Sequence, residues 1–75
     1  MSNTASTLVI CIDNAGYEAA LERRKIYECL PDSEAAGRRM LRVIDESGED
    51  HLYSEDLIVN APLPEAVRRA VLKAA

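Results

Sequence analysis

Apolar and polar positions alternate through much of residues 25–60 with the period of two that a half-buried β-strand requires. The pattern is clearest from Leu41 to Asn60, LRVIDESGEDHLYSEDLIVN. The runs Met40–Ile44 and His51–Tyr53 flank Ser47-Gly48, the spacing of a hairpin with a glycine-containing loop. Ser54-Glu55-Asp56 breaks the alternation before Leu57-Ile58-Val59 resumes it, so strands are predicted over Met40–Asp45, His51–Tyr53 and Leu57–Asn60. Upstream, KIYECL (Lys25–Leu30) turns Ile26, Glu28 and Leu30 to one side and Tyr27 and Cys29 to the other, and Pro31-Asp32 ends it. TLVICID (Thr7–Asp13) is a β-branched run closed by the turn signal Asn14-Ala15-Gly16, and it reads as a buried strand.

Helical spacing marks three other stretches. In Tyr17–Lys25, YEAALERRK, the positions Tyr17, Ala20, Leu21 and Arg24 follow i, i+3, i+4, i+7, but the stretch is too short to persist alone. It is one or two helical turns or a loop held by tertiary contacts. Asp32–Gly37 reads as one capped turn, with Asp32 or Ser33 accepting from the following amides and Gly37 free to take a positive φ. Pro62-Leu63-Pro64 stops the sheet, and Pro64 can open a helix running to Ala74. Its apolar stripe is Leu63, Val67, Ala70, Val71 and Ala74, with Arg68, Arg69 and Lys73 largely elsewhere. A helix that short must dock to survive, on its own sheet or on a partner chain.

A chain of 75 residues makes one domain with one small core, too little for an active-site cleft between two domains. With 48% hydrophobic residues it is too apolar to be disordered. Only Tyr17, Tyr27 and Tyr53 are aromatic, so Leu, Ile, Val, Met and Ala must build the core. The longest apolar run, Leu8–Ile12, is far short of a membrane span, and MSNTAST lacks the basic and apolar regions of a secretory signal. A cytoplasmic protein with a disordered N-terminus over residues 1–6 is expected, then a β domain over 7–61 and a docking helix over 62–75. Cys11 and Cys29, far apart in apolar strands, read as reduced core thiols. Residues 1–63 hold 6 basic and 12 acidic side chains, whereas residues 64–75 hold 3 and 1. The acidic body disfavours nonspecific attachment to nucleic acid or anionic membrane.

The order of strand, long first loop, strand, hairpin, short strand, tight turn and last strand resembles an SH3-like small β-barrel. The likeness runs from Lys25 to Ala61: KIYECL is similar to the segment after the long first loop, MLRVIDESGEDHLY to the central hairpin, and LYSEDLIV to the strand, one-turn 3₁₀ helix and final strand that close such barrels. From Ile12 to Tyr53 the pattern I-D-N-x-G-Y-E-A-x-L-E-x-x-K-I-Y followed by R-V-I-D-E-S-G-E-D-x-L-Y also resembles a group of small uncharacterised bacterial proteins. These resemblances imply a mainly β fold, a five-stranded antiparallel barrel with a short C-terminal α-helix. SH3 domains that hold proline-rich peptides present a Trp at the start of the hairpin strand and a Pro after the fourth strand. Met40-Leu41 and Ser54 stand there instead, which weighs against a proline-rich ligand.

Candidate chemistry is sparse. Asp45, Glu46, Glu49 and Asp50 could offer oxygen ligands to a cation, but they lack calcium-loop spacing and read as a solvated turn. Antiparallel pairing of Lys25–Leu30 with Met40–Ile44 brings Arg23, Arg24 and Lys25 near Asp45 and Glu46. Cys11, Cys29 and His51 supply too few ligands for structural zinc and no paired spacing. A Cys–His nucleophilic pair would need an activated thiolate, so His51 reads as a strand-end residue facing water.

No catalytic activity, cofactor or metal is therefore expected. The chain reads as a protein- or peptide-binding module or regulatory adaptor, a monomer or weak homodimer, with a contact surface of Tyr17, Glu18, Tyr53, Glu55 and Asp56 beside Asn14 and Ser54. The competing reading for each tyrosine is a cap on the core. The alternative function is a nucleic-acid- or phosphate-associated barrel using Arg38, Arg39 and Arg42.

Overall fold

The computed structural model describes residues 6–74, and the expected disorder of residues 1–5 lies outside the described residues. Five strands are present: β1 Thr7–Cys11, β2 Ile26–Leu30, β3 Met40–Ile44, β4 Asp50–Ser54 and β5 Ile58–Asn60. Helix α1 spans Ser33–Gly37, a 3₁₀ turn spans Glu55–Leu57, and helix α2 spans Glu65–Ala74. The strands form one antiparallel sheet in the order β4-β3-β2-β1-β5, curled into a half-barrel. The expected mainly β architecture with a short C-terminal helix is therefore the observed one. Among the described residues no helix is long and apolar enough to cross a membrane.

Alternation decides which side chains enter the concave face. Val9 and Cys11 of β1, Tyr27 and Cys29 of β2, Val43 of β3, Tyr53 of β4 and Ile58 of β5 are buried there together with Leu21. Both cysteines are buried, free thiols. Leu21 comes from the first loop, whose helical spacing yields only turns. The Tyr17 carbonyl accepts from the Ala20 and Leu21 amides, and the Arg24 amide closes the loop onto the Cys11 carbonyl at 2.7 Å. Asn14 Nδ2 donates to the Leu21 carbonyl at 2.9 Å, which holds the fully buried Leu21 against the core.

The β3–β4 hairpin closes on Glu46-Ser47-Gly48, with Gly48 at φ +83, the left-handed position that ends a three-residue hairpin loop. At α1, Asp32 is the N-cap, accepting from the Ala35 amide at 2.9 Å. The positive φ expected at Gly37 falls instead on Arg39, at φ 60, whose carbonyl accepts from the Glu55 amide at 2.9 Å. The left-handed residue is set by the need to bring β3 alongside the end of β4, not by where glycine stands.

Helix α2 docks on a face that overlaps the predicted stripe at Val71 and Ala74 but is rotated toward Leu72. Val71 and Leu72 are half-buried, whereas Val67 is exposed. Arg68 decides this rotation: its guanidinium donates to the Ser6 carbonyl at 2.6 Å, so positions 68, 71 and 72 share the inward side. Ser6, assigned by the sequence to the disordered segment, is buried. Between the helix and the convex sheet face runs a groove of about 490 Å³ lined by Leu8, Ile26, Ile44, Val71 and Leu72 among others.

Two stability outcomes follow from this packing. Leu21→Ala should cost about 2–5 kcal/mol, the range for emptying a buried leucine site, measured by urea unfolding. Leu72→Ala should cost about 1–2 kcal/mol and Val67→Ala less than about 0.5 kcal/mol. The reverse order would restore the sequence-derived docking face.

Candidate functional site

The side chains with chemistry gather where the hairpin meets the first loop. Asp45 is the centre, its side chain only 1% exposed. Its Oδ1 accepts from the Ser47 hydroxyl at 2.6 Å and the Ser47 amide at 2.9 Å. Its Oδ2 accepts from the Tyr53 hydroxyl at 2.6 Å and faces His51 Nδ1 at 2.8 Å. Burial opposes the charged form, but the hydrogen bonds from Ser47, Tyr53 and His51 outweigh it and hold the Asp45 carboxyl well below the usual carboxylate range. An ionised carboxylate can only accept, so this contact requires the proton on Nδ1 of His51.

The next residue repeats the arrangement. Glu46 Oε2 accepts from the Tyr27 hydroxyl at 2.5 Å and from Lys25 Nζ at 2.6 Å, and these contacts lower the Glu46 pKa. Tyr27 is raised above its ordinary value, first by burial and then by Glu46; Tyr53 is raised in the same way, by burial and Asp45. The Glu46 amide donates to the Ala20 carbonyl at 3.0 Å, tying the hairpin to the first loop. The expected neutralisation of the basic triplet by the hairpin acids is thus made by Lys25 with Glu46.

Above this polar floor lies an open pocket of about 550 Å³, lined by Tyr17, Ala19 and Ala20 of the loop, Asp45 to Ser47 of the hairpin, and His51 to Tyr53 of β4. The rings of Tyr17 and Tyr53 meet edge to face, 5.2 Å between centroids and 80° between planes. Tyr17 is 46% exposed and Tyr53 only 3%. Tyr53 is therefore a core residue supporting Tyr17, and its expected role as exposed contact area is corrected: inward alternation along β4 and the bond to Asp45 bury it.

The other expected contact residues are placed apart from this pocket. Glu18 is exposed, and its Oε2 accepts from the Gly16 amide at 3.3 Å. Glu55 and Asp56, in the 3₁₀ turn capped by Ser54, line a separate hollow of about 420 Å³ with Leu41, Ile58 and Asn60. The pocket carboxylates are instead Asp45 and Glu46. Reading Asp45 as part of a solvated turn is corrected by its burial. The signal available in the sequence was Asp45 two residues before Ser47, the spacing at which an Asp side chain bonds the backbone amide ahead of it.

His51 is half-exposed as expected of a strand end, yet bonded to Asp45. Ser47 and His51 bind opposite oxygens of Asp45 and not each other, so the three are arranged as a positioning cluster. Cys11 Sγ contacts the Asp13 carbonyl and Cys29 Sγ the Leu30 carbonyl, and burial pushes both thiols up. Among the described residues no three His, Cys, Asp or Glu side chains gather as a metal site. Of the arginine cluster, Arg42 is held by Asp32 at 2.8 Å and Asp50 at 2.9 Å, while Arg38 and Arg39 form no ion pair among the described residues. Comparison with known proteins yields no match to a family model, a curated protein or a solved structure.

The hydrogen-bonded acids set a pH window. A carboxyl whose folded pKa lies below its unfolded value stabilises fully above the unfolded value, about 4, and loses that contribution as pH falls through the folded pKa. The raised tyrosines act oppositely, since the unfolded chain ionises first above about pH 10. The raised thiols act in the same direction from about pH 8, so urea midpoints should hold between about pH 5 and 8 and fall on both sides. Asp45→Asn should cost roughly 2–4 kcal/mol near neutrality and flatten the acid limb.

Proposed function

We propose that this chain is a non-catalytic protein-binding module that takes a basic segment of its partner against Tyr17. The observation that carries this reading is Tyr17 itself: a large side chain left 46% exposed at the rim of a concave pocket, fixed from below by a buried tyrosine. Rigid aromatic surface beside a pocket is the usual anchor of a protein interface. The acidic body supplies a field that attracts a basic segment and speeds its encounter. The resemblance to SH3-like small barrels supports a ligand-binding role, while Met40-Leu41 and Ser54 disfavour proline-rich segments. Two reduced thiols in the core suit a cytoplasmic setting.

The arginine alternative is weaker, because Arg42 is occupied by two carboxylates and leaves Arg38 and Arg39 alone. Selection from a random peptide library displayed on phage tests the proposal. Enriched peptides should carry Lys or Arg without a proline repeat and bind less tightly as salt rises. Tyr17→Ala should weaken them about tenfold or more, while Arg38→Ala with Arg39→Ala leaves them unchanged. Loss through the arginines with Tyr17 silent would favour the nucleic-acid or phosphate reading.

A further inference from the structure

The sheet stays open, and its two free edges are unequal. β5 has three residues, and the Ile58 amide is already taken by the Glu55 carbonyl at the end of the 3₁₀ turn. β4 has five residues and, among the described residues, only β3 as a neighbour. In the β3–β4 ladder, Asp45 bonds opposite Glu49 and Arg39 opposite Glu55, so by parity Val43–His51 and Leu41–Tyr53 are the bonded pairs. The carbonyls of Asp50 and Leu52 and the amide of Leu52 then point away from β3, and no other described backbone group pairs with them. A row of unpaired groups of this kind templates an added strand.

The edge also adjoins the pocket. Leu52 lines it together with His51, Tyr53 and Tyr17. A strand laid along β4 would send alternate side chains toward that concavity, and the others would lie beside Asp50 and Leu52 on the opposite face. On that opposite face Asp50 is exposed but already holds Arg42, so the attraction for basic residues comes from the acidic body as a whole. We infer that the partner segment binds as an added β-strand on the free edge of β4, with an apolar or aromatic side chain in the Tyr17 pocket and basic residues alternating with it. This rests on the binding-module reading and specifies its mode. A second copy is a poorer occupant, because two acidic bodies repel where a basic segment is attracted.

The probe is an eight-residue peptide alternating Lys with Val and carrying one central Tyr. Its controls are the same peptide with Glu for Lys, and one N-methylated on the alternate amides that would face β4. Amide shifts and hydrogen exchange of the full chain are the readout. The Lys peptide should shift Asp50–Ser54 and slow exchange at Leu52, whereas the Glu and N-methylated forms should bind at least about tenfold more weakly. Leu52→Pro, which removes the outward donor and spares the ladder, should act like the methylated peptide; that peptide keeps the test valid if the variant fails to fold. Equal binding by the methylated and parent peptides, or no effect of the Lys peptide at Leu52, overturns strand addition. Slowed exchange at Leu52 in concentrated protein alone overturns it in favour of a homodimer. Library-selected peptides that need Tyr17 but leave Leu52 exchange unchanged overturn the mode while the module reading stands; selected peptides indifferent to Tyr17 defeat that reading instead.

Discussion

Asp45 and Glu46, consecutive at the start of the hairpin loop, each receive the hydroxyl of a buried tyrosine, and the half-barrel depends on that pairing. A core with no Phe or Trp must use tyrosine for bulk, and each buried hydroxyl then needs a partner. Leaving one unmet would cost about 1–3 kcal/mol, a large share of what a domain this small has in reserve. Placing both acceptors on adjacent residues draws β2 and β4 to the same turn. The Glu46 amide then fastens the first loop through Ala20, and the loop in turn seats Leu21 in the core.

That polar floor gives the candidate site its rigidity. Tyr53 cannot swing outward while its hydroxyl is held at Asp45, so the edge of its ring is a fixed support for Tyr17. His51 is likewise held by Asp45, leaving its ring at the pocket wall in one orientation. The module therefore offers preformed aromatic surface, which reduces the ordering cost of binding. The same strand that carries His51 and Tyr53 presents the free edge, so pocket and edge are coupled through β4 by covalent geometry alone.

Helix α2 is attached by different means. A charge-assisted bond from Arg68 to the Ser6 carbonyl and a few half-buried side chains hold it over the convex face. The groove beneath it and the exposed Val67 show an incompletely filled contact, in contrast to the close packing of the concave core. Basic residues on the helix and acidic ones in the body favour its approach, although surface charge contributes little to holding it there.

Period-two alternation made the strands, the hairpin and the inward set Tyr27, Cys29 and Val43 legible, because side-chain direction in a strand follows from covalent geometry. The Asp32 cap and the pairing of Lys25 with Glu46 were legible as well, since both depend on short spacing or on strand direction. Exposure was not. Tyr17 and Tyr53 have the same side chain, and only the curl of the sheet and the position of Asp45 make one the rim and the other the floor. Asp45 itself looked like its acidic neighbours until three hydrogen-bonding side chains converged on it from positions 47, 51 and 53. Glu55 and Asp56 follow Tyr53 closely in the chain, yet the 3₁₀ turn carries them to another hollow. The face that α2 turns inward was decided by Arg68 reaching a carbonyl 62 residues away, a contact that no local periodicity encodes.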